Sequence, residues 1–257
     1  MTKYQSRSET RLQSLHPSKR NPLHLLGAAA FAGALIAPQA GRADTPVDGT
    51  ASLYYSYATQ KIPGSTGNPG GSGVGIATQI NIHRNFFIDG LYQYNNEHLP
   101  GADVTTSFGT VSEPGAQIKL DQVRAGGGVQ YFVPQTPLTV YGKVDYVHYG
   151  YNLRSAGTDY GTDNDDGPGY FAGIKANGPL GGQLYAEGGY LDLSDSHGQE
   201  GFVGGSLPVG RFLSYHSHEL PVQWYLEYRW SHLGLRGLDG SEIDYEYRTG
   251  LRLPFGT

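Results

Sequence analysis

The chain has 257 residues, including 39 Gly and 20 Tyr, no Cys, and a formal net charge of −5. Without Cys it can form neither a disulfide nor a lipid-modified cysteine anchor. Its mean hydropathy is negative, and no apolar run reaches the ~20 residues that a membrane-crossing helix needs, which excludes a helical membrane protein.

Residues 1–43 read as a secretory signal peptide. Lys3, Arg7, Arg11, Lys19 and Arg20 form a basic stretch. Leu23 to Ala37 is apolar between Pro22 and Pro38, and Gly41 and Ala43 are small residues placed for cleavage before Asp44. Residues 44–257 then form one domain with 12 basic and 22 acidic residues. Phosphate binding needs the opposite sign, so no nucleic-acid partner is expected.

From residue 44 onward, apolar and polar residues alternate with period two in about ten segments. The first is Thr50–Thr59, with Ala51, Leu53, Tyr55 and Tyr57 on one face; Gly73–His83 and Phe86–Asn95 follow. In Gln117–Val133, Ile118 and Leu120 are out of phase with Val123, Ala125, Gly127 and Val129, which predicts a β-bulge near Asp121 and Gln122. Leu138–Tyr151, Tyr170–Ala176 and Gln183–Leu193 come next. Phe202–Tyr215 is interrupted by Pro208 and Arg211. Val222–Leu233 and Glu242–Phe255 are the last two. If the interrupted segment and one short neighbour are not strands, the number is eight.

The connections alternate in length. Gln60–Ser72, Asn96–Ala116, Asn152–Gly169, Ser194–Gly201 and Gly234–Ser241 are the longer links, while Arg84–Asn85, Pro134–Pro137 and Asn177–Gly182 are short. A soluble β-sandwich also alternates along its strands, but it has no reason to alternate loop length. An antiparallel up-and-down transmembrane β-barrel does, with short turns on one side and long loops on the other. Tyr54, Tyr55, Tyr57, Tyr92, Tyr94, Tyr146, Trp224, Tyr228 and Trp230 lie near strand ends, where amphipathic rings would form girdles at the headgroup level.

The last segment has the cleanest pattern. Ile243, Tyr245, Tyr247, Thr249, Leu251, Leu253 and Phe255 share one face, opposite Glu242, Asp244, Glu246, Arg248, Gly250 and Arg252. Arg248, Gly250, Leu253 and Phe255 resemble the closing-strand signal of outer-membrane barrels, although Gly256 and Thr257 follow the aromatic residue. In architecture the chain resembles the small opacity-type and OmpA-type outer-membrane barrels. The resemblance implies residence in the bacterial outer membrane after export, contact with its lipid and lipopolysaccharide, and recognition by the barrel insertion machinery. It implies long loops that carry surface interaction through an unidentified ligand. No peptidoglycan-binding domain is expected after Thr257.

Alternation places Asp121, Arg124, Lys143, Asp145, Lys175, Glu187, Glu227, Arg229, Asp244, Glu246, Arg248 and Arg252 in the lumen. Six cations against six anions in so small a barrel predict a salt-bridged interior, closed or narrow, with limited passage of small solutes. The enzymatic alternative is lipid A acyl hydrolysis, with Ser231 and His232 (or Ser214 and His216) as candidates. His216, His218 and Glu219 lack a clear further metal ligand, and the run Asp159, Asp163, Asp165, Asp166 lacks the Gly and closing Glu of an EF-hand loop. Gly126–Gly128 lies mid-strand with no helix after it, so it is no phosphate loop. No cofactor or metal is expected.

Overall fold

The computed structural model describes residues 48–256, apart from segments at 62–67, 69, 100–101, 107–108, 114, 156–157, 179–180, 210–221 and 236–240. The expected signal peptide, and Ser214, His216, His218 and Glu219, lie outside the described residues. Among those residues there are twelve strands. They are β1 (Asp48–Lys61), β2 (Gly70–His83), β3 (Phe86–Leu99), β4 (Ala102–Thr106), β5 (Gly109–Glu113) and β6 (Ala116–Phe132). Then come β7 (Leu138–Ser155), β8 (Thr158–Asn177), β9 (Gln183–Asp192), β10 (Ser196–Pro208), β11 (Gln223–Leu235) and β12 (Ser241–Phe255).

Ten of these strands form a closed antiparallel barrel in the order β1-β12-β11-β10-β9-β8-β7-β6-β3-β2. β4 and β5 form a separate hairpin between β3 and β6. Closure removes both the eight-strand alternative and the β-sandwich. The seam joins the ends of the chain: β1 pairs with β12 without a break from Gly49↔Phe255 to Lys61↔Ile243.

The barrel is inverted in polarity. Leu53, Val74, Val129, Val144, Leu184, Val203, Leu226 and Leu251 are all exposed on its outside, while Arg124, Asp145, Glu200, Arg229, Glu246 and Arg248 are buried inside. Such a surface is stable against hydrocarbon and not against water, because backbone groups are satisfied strand to strand and the apolar side chains meet lipid. Towards the long-loop end the outer face becomes aromatic, with Tyr55, Tyr57, Tyr92, Tyr146, Tyr170, Tyr190, Tyr228, Trp230, Tyr245 and Tyr247. Tyr54 does not belong to this set. It is 3% exposed and points inward beneath Arg248, because it alternates with Tyr55 and Tyr57.

Four sequence expectations change. There is no bulge in β6: its pairing with β3 runs unbroken through Tyr94↔Asp121 and Gln93↔Gln122. The backbone keeps its phase and the environment changes instead. Leu120 faces inward into an apolar cluster with Val147, Leu191, Leu193 and Leu233 at the long-loop end of the lumen. Without a bulge, Asp121 faces outward, where Tyr92 Oη donates to it (3.0 Å). The expected link Asn152–Gly169 is mostly strand, since β7 and β8 pair from Leu138↔Ala176 to Ser155↔Thr158. Likewise β10 starts at Ser196 and ends at Pro208, so the expected link Ser194–Gly201 is largely strand.

The many glycines of the inner face leave room for neighbouring rings. A Cβ on Gly75 would fall 2.4 Å from the Tyr54 ring, one on Gly173 2.4 Å from Tyr141, and one on Gly189 2.2 Å from Phe171. At Gly250 the obstacle is backbone, because its Cβ would sit 2.1 Å from the backbone oxygen of Leu53 and 2.6 Å from Cα of Tyr54. These are the positions of β1 that close the seam. Gly250→Val should therefore destabilise the barrel by about 1–3 kcal/mol. It should also reduce the fraction showing heat-modifiable migration on a gel, whereas Leu251→Val on the outer face should leave both unchanged.

Candidate functional site: the ionic layer of the lumen

Strand parity aims one charged residue after another at the barrel axis. At mid-height they form a chain of alternating sign. Arg124 on β6 donates from Nη2 to Glu200 Oε1 on β10 (2.6 Å). The same oxygen accepts from Nε of Arg229 on β11. Arg229 Nη1 reaches Glu246 Oε2 on β12 (3.1 Å), and Arg248 Nη2 donates to that oxygen (3.0 Å). Arg248 Nη1 ends the chain on Glu227 Oε1 (2.9 Å). Three guanidiniums therefore alternate with three carboxylates, and the chain is neutral.

Neutral and aromatic groups complete it. Tyr149 Oη accepts from Arg124 Nη2 (3.1 Å) and Arg229 Nη2 (2.7 Å). Gln93 Nε2 donates to Glu246 Oε1 (2.5 Å), and Tyr54 Oη donates to Gln93 Oε1 (2.9 Å). The Phe202 ring lies between two guanidiniums, 5.4 Å from that of Arg124 and 5.8 Å from that of Arg248. Charges taken this far from water are tolerated only when each meets an opposite charge in good geometry.

Two different environments flank the layer. Towards the long loops lies the apolar cluster of Leu120, Val147, Leu191, Leu193 and Leu233, and Val147 and Leu191 have no exposed surface. Beside it Asp165 accepts from Ser194 Oγ (3.0 Å) and the Asp195 backbone N–H (2.8 Å). Towards the short turns lies a cavity of about 400 Å³ whose lining includes Lys143, Lys175, Glu187, Arg252 and the inner side of Arg124 and Arg248. In it Lys143 Nζ meets Asp89 (2.8 Å), Asp145 (3.1 Å) and Glu187 (3.4 Å).

Of the twelve residues that alternation assigns to the lumen, eleven face it and Asp121 does not. Interior carboxylates outside that set include Asp89, Glu97, Asp165 and Glu200. Asp89 follows directly from the alternation of β3, so its signal was present. Glu97 and Glu200 lie where the outer face is no longer apolar, so hydrophobic periodicity does not mark them as strand. The residues of the closing-strand signal divide by face: Arg248 and Gly250 point inward and Leu253 outward. The acidic run does not form a loop site, since Asp163, Asp165 and Asp166 lie on β8. Gly126 and Gly128 lie mid-strand in β6 beneath Asp145 and the Phe87 ring.

The geometry separates Ser231 from His232. Adjacent strand residues project to opposite faces. Ser231 is fully buried in the lumen with Oγ 3.3 Å from Asp244 Oδ2, and His232 is exposed on the outside. A serine nucleophile needs its base within hydrogen-bond reach, and these two residues point apart.

Closure, ten antiparallel strands, short turns at one end and an apolar outer face decide the class. The fold is that of the small outer-membrane β-barrels. No protein-family model matches the chain, and neither does any curated protein. Among solved structures it is similar to Neisserial surface protein A at 13% identity, covering 80% of this chain and 97% of that one, with a TM-score of 0.40. It is similar to the attachment invasion locus protein Ail of Yersinia pestis at 12% identity, over 80% and 99% of the two chains, with a TM-score of 0.35. The outer membrane protein OprG of Pseudomonas aeruginosa matches at 9% identity, over 82% and 97%, with a TM-score of 0.41.

Two outcomes are expected. Glu200→Ala leaves two buried guanidiniums facing each other, so it should cost about 3–5 kcal/mol in urea unfolding, against under about 1 kcal/mol for Asp121→Ala on the outer face. Lipid A from cells with and without the protein should have the same mass spectrum.

Proposed function

We propose that the chain is an integral outer-membrane protein whose lumen is closed at mid-height. It works through its long-loop end, in surface interaction or membrane integrity, and passes small solutes at most to a limited extent. The observation that carries this is the chain from Arg124 through Glu200, Arg229 and Glu246 to Arg248, capped on one side by an apolar cluster. An open aqueous channel needs more strands than ten, or fewer side chains across the axis. The aromatic belt supports placement in a bilayer. In this reading the partners are membrane lipid and lipopolysaccharide, together with the insertion machinery that would read Arg248, Gly250, Leu253 and Phe255.

Planar-bilayer recording tests it. The refolded protein should give no large steps. Removing both signs and much of the volume at once, in the double substitution Glu200→Ser with Arg229→Ser, should make steps appear. Large, stable steps from the unaltered protein would sink the closed-lumen reading.

A further inference from the structure

Besides Lys143, which three carboxylates engage, the cavity at the short-turn end of the lumen contains two cations that the ionic layer does not use. Lys175 lies two residues before the end of β8, and Arg252 three before the end of β12. Lys175 Nζ donates to Gln79 Oε1 (2.8 Å) and lies 4.6 Å from the Tyr141 ring centre and 5.4 Å from that of Phe87. Arg252 Nε donates to Ser52 Oγ (3.2 Å), and its guanidinium carbon lies 4.9 Å from the Tyr225 ring centre and 5.5 Å from that of Tyr185. Among the described residues neither cation has a carboxylate within ion-pair distance.

The carboxylates that line the cavity are engaged elsewhere. Asp89, Asp145 and Glu187 converge on Lys143, and Glu227 binds Arg248. Asp48, at the mouth, accepts from Asn81. Glu187 and Glu227 also accept from Tyr141 Oη (2.8 Å) and Tyr185 Oη (2.6 Å). Each tyrosine thus turns its hydroxyl to a carboxylate and its ring to one of the two cations. Both cations therefore rest against aromatic rings while lining the cavity. A lysine ammonium carries three donors and a guanidinium five, and here most of them meet no acceptor of the protein.

We propose that this cavity binds a small oxyanion, a carboxylate or phosphate group entering from the short-turn side, held by Lys175 and Arg252. Its volume of about 400 Å³ is within the range of ligand pockets. Charge-assisted hydrogen bonds from two donors of different shape suit a planar carboxylate or a tetrahedral phosphate better than a cation or a neutral solute. The site rests on the barrel fold and not on the closed lumen, so it would persist if the barrel conducted.

Calorimetric titration of the refolded barrel in detergent tests it. Sodium benzoate and sodium phosphate are the anionic probes and choline chloride the cationic control, at constant ionic strength. Saturable binding of one molecule of either anion is expected. Lys175→Met and Arg252→Met should each weaken it about tenfold or more, the loss of one charged hydrogen bond, and Lys175→Arg should keep it. The preferred probe tells a carboxylate site from a phosphate site. No saturable anion binding by the unaltered protein, tighter binding of choline, or unchanged binding in both Met variants would overturn the proposal. If the Met variants do not refold, the comparison of anions with choline on the unaltered protein decides alone. Conductance recorded on the same preparation distinguishes an open lumen from an absent site.

Discussion

Everything in this barrel depends on the pairing of its first strand with its last. A strand in lipid has no water to satisfy its backbone, so an open edge is untenable and the sheet must close on itself. Closure here brings Leu53 and Tyr54 against Gly250, where no side chain fits. The glycine of the closing-strand pattern therefore has a steric function of its own, apart from any recognition it takes part in. Tyr54 sits between Gly250 and Gly75, its ring over the latter, and its hydroxyl joins the hydrogen-bonded lumen through Gln93. One side chain thus ties the seam to the interior.

The interior changes character along its axis. The half nearer the short turns holds a cavity lined by charges, the middle is a layer of buried ion pairs, and the half nearer the long loops is apolar. The sequence of environments follows from what each level must do. Apolar side chains can face inward only where water is excluded, and Leu191, Leu193 and Leu233 do so above the ionic layer. The layer itself tolerates burial because it is neutral and alternates in sign. Each inner carboxylate separates two guanidiniums, Glu200 between Arg124 and Arg229 and Glu246 between Arg229 and Arg248.

Much of this was legible from the residues. In lipid the outer face must be apolar, so period-two alternation marks the spanning part of every strand and parity then assigns the inner residues. That is why eleven of twelve lumen charges fall where alternation puts them. The failures share a cause. Beyond the apolar band neither face needs to be apolar, so Thr158–Gly169 and Ser196–Gly201 continue as strand without the pattern that announces one. Glu200 was hidden in such a stretch. Ile118 and Leu120 produce the opposite error, since an apolar environment inside the barrel imitates a slip of the backbone and displaces Asp121 to the wrong face. Partner choice within the lumen was not legible at all, because the long reach of arginine lets β6 meet β10 across the axis.

The barrel wall is uneven in height: β6, β7 and β8 rise together to Ala116, Ser155 and Thr158, while the ladder of β8 with β9 begins only at Gly169. Past Asp166, β8 has β7 on one side and no ladder with β9 on the other. Eight further residues of β8, at about 3.3 Å each, carry its edge roughly 25 Å past Asp166. Because β7 stays paired with β6 up to Ala116↔Ser155, and β6 with β3 up to Leu99↔Ala116, this extension is a braced wall and not a free ribbon. The edge of β8 past Asp166 would invite a foreign strand, and the exposed Asp163 on it disfavours pairing with an acidic chain, whereas Asp165 is turned inward to Ser194 and Ser196.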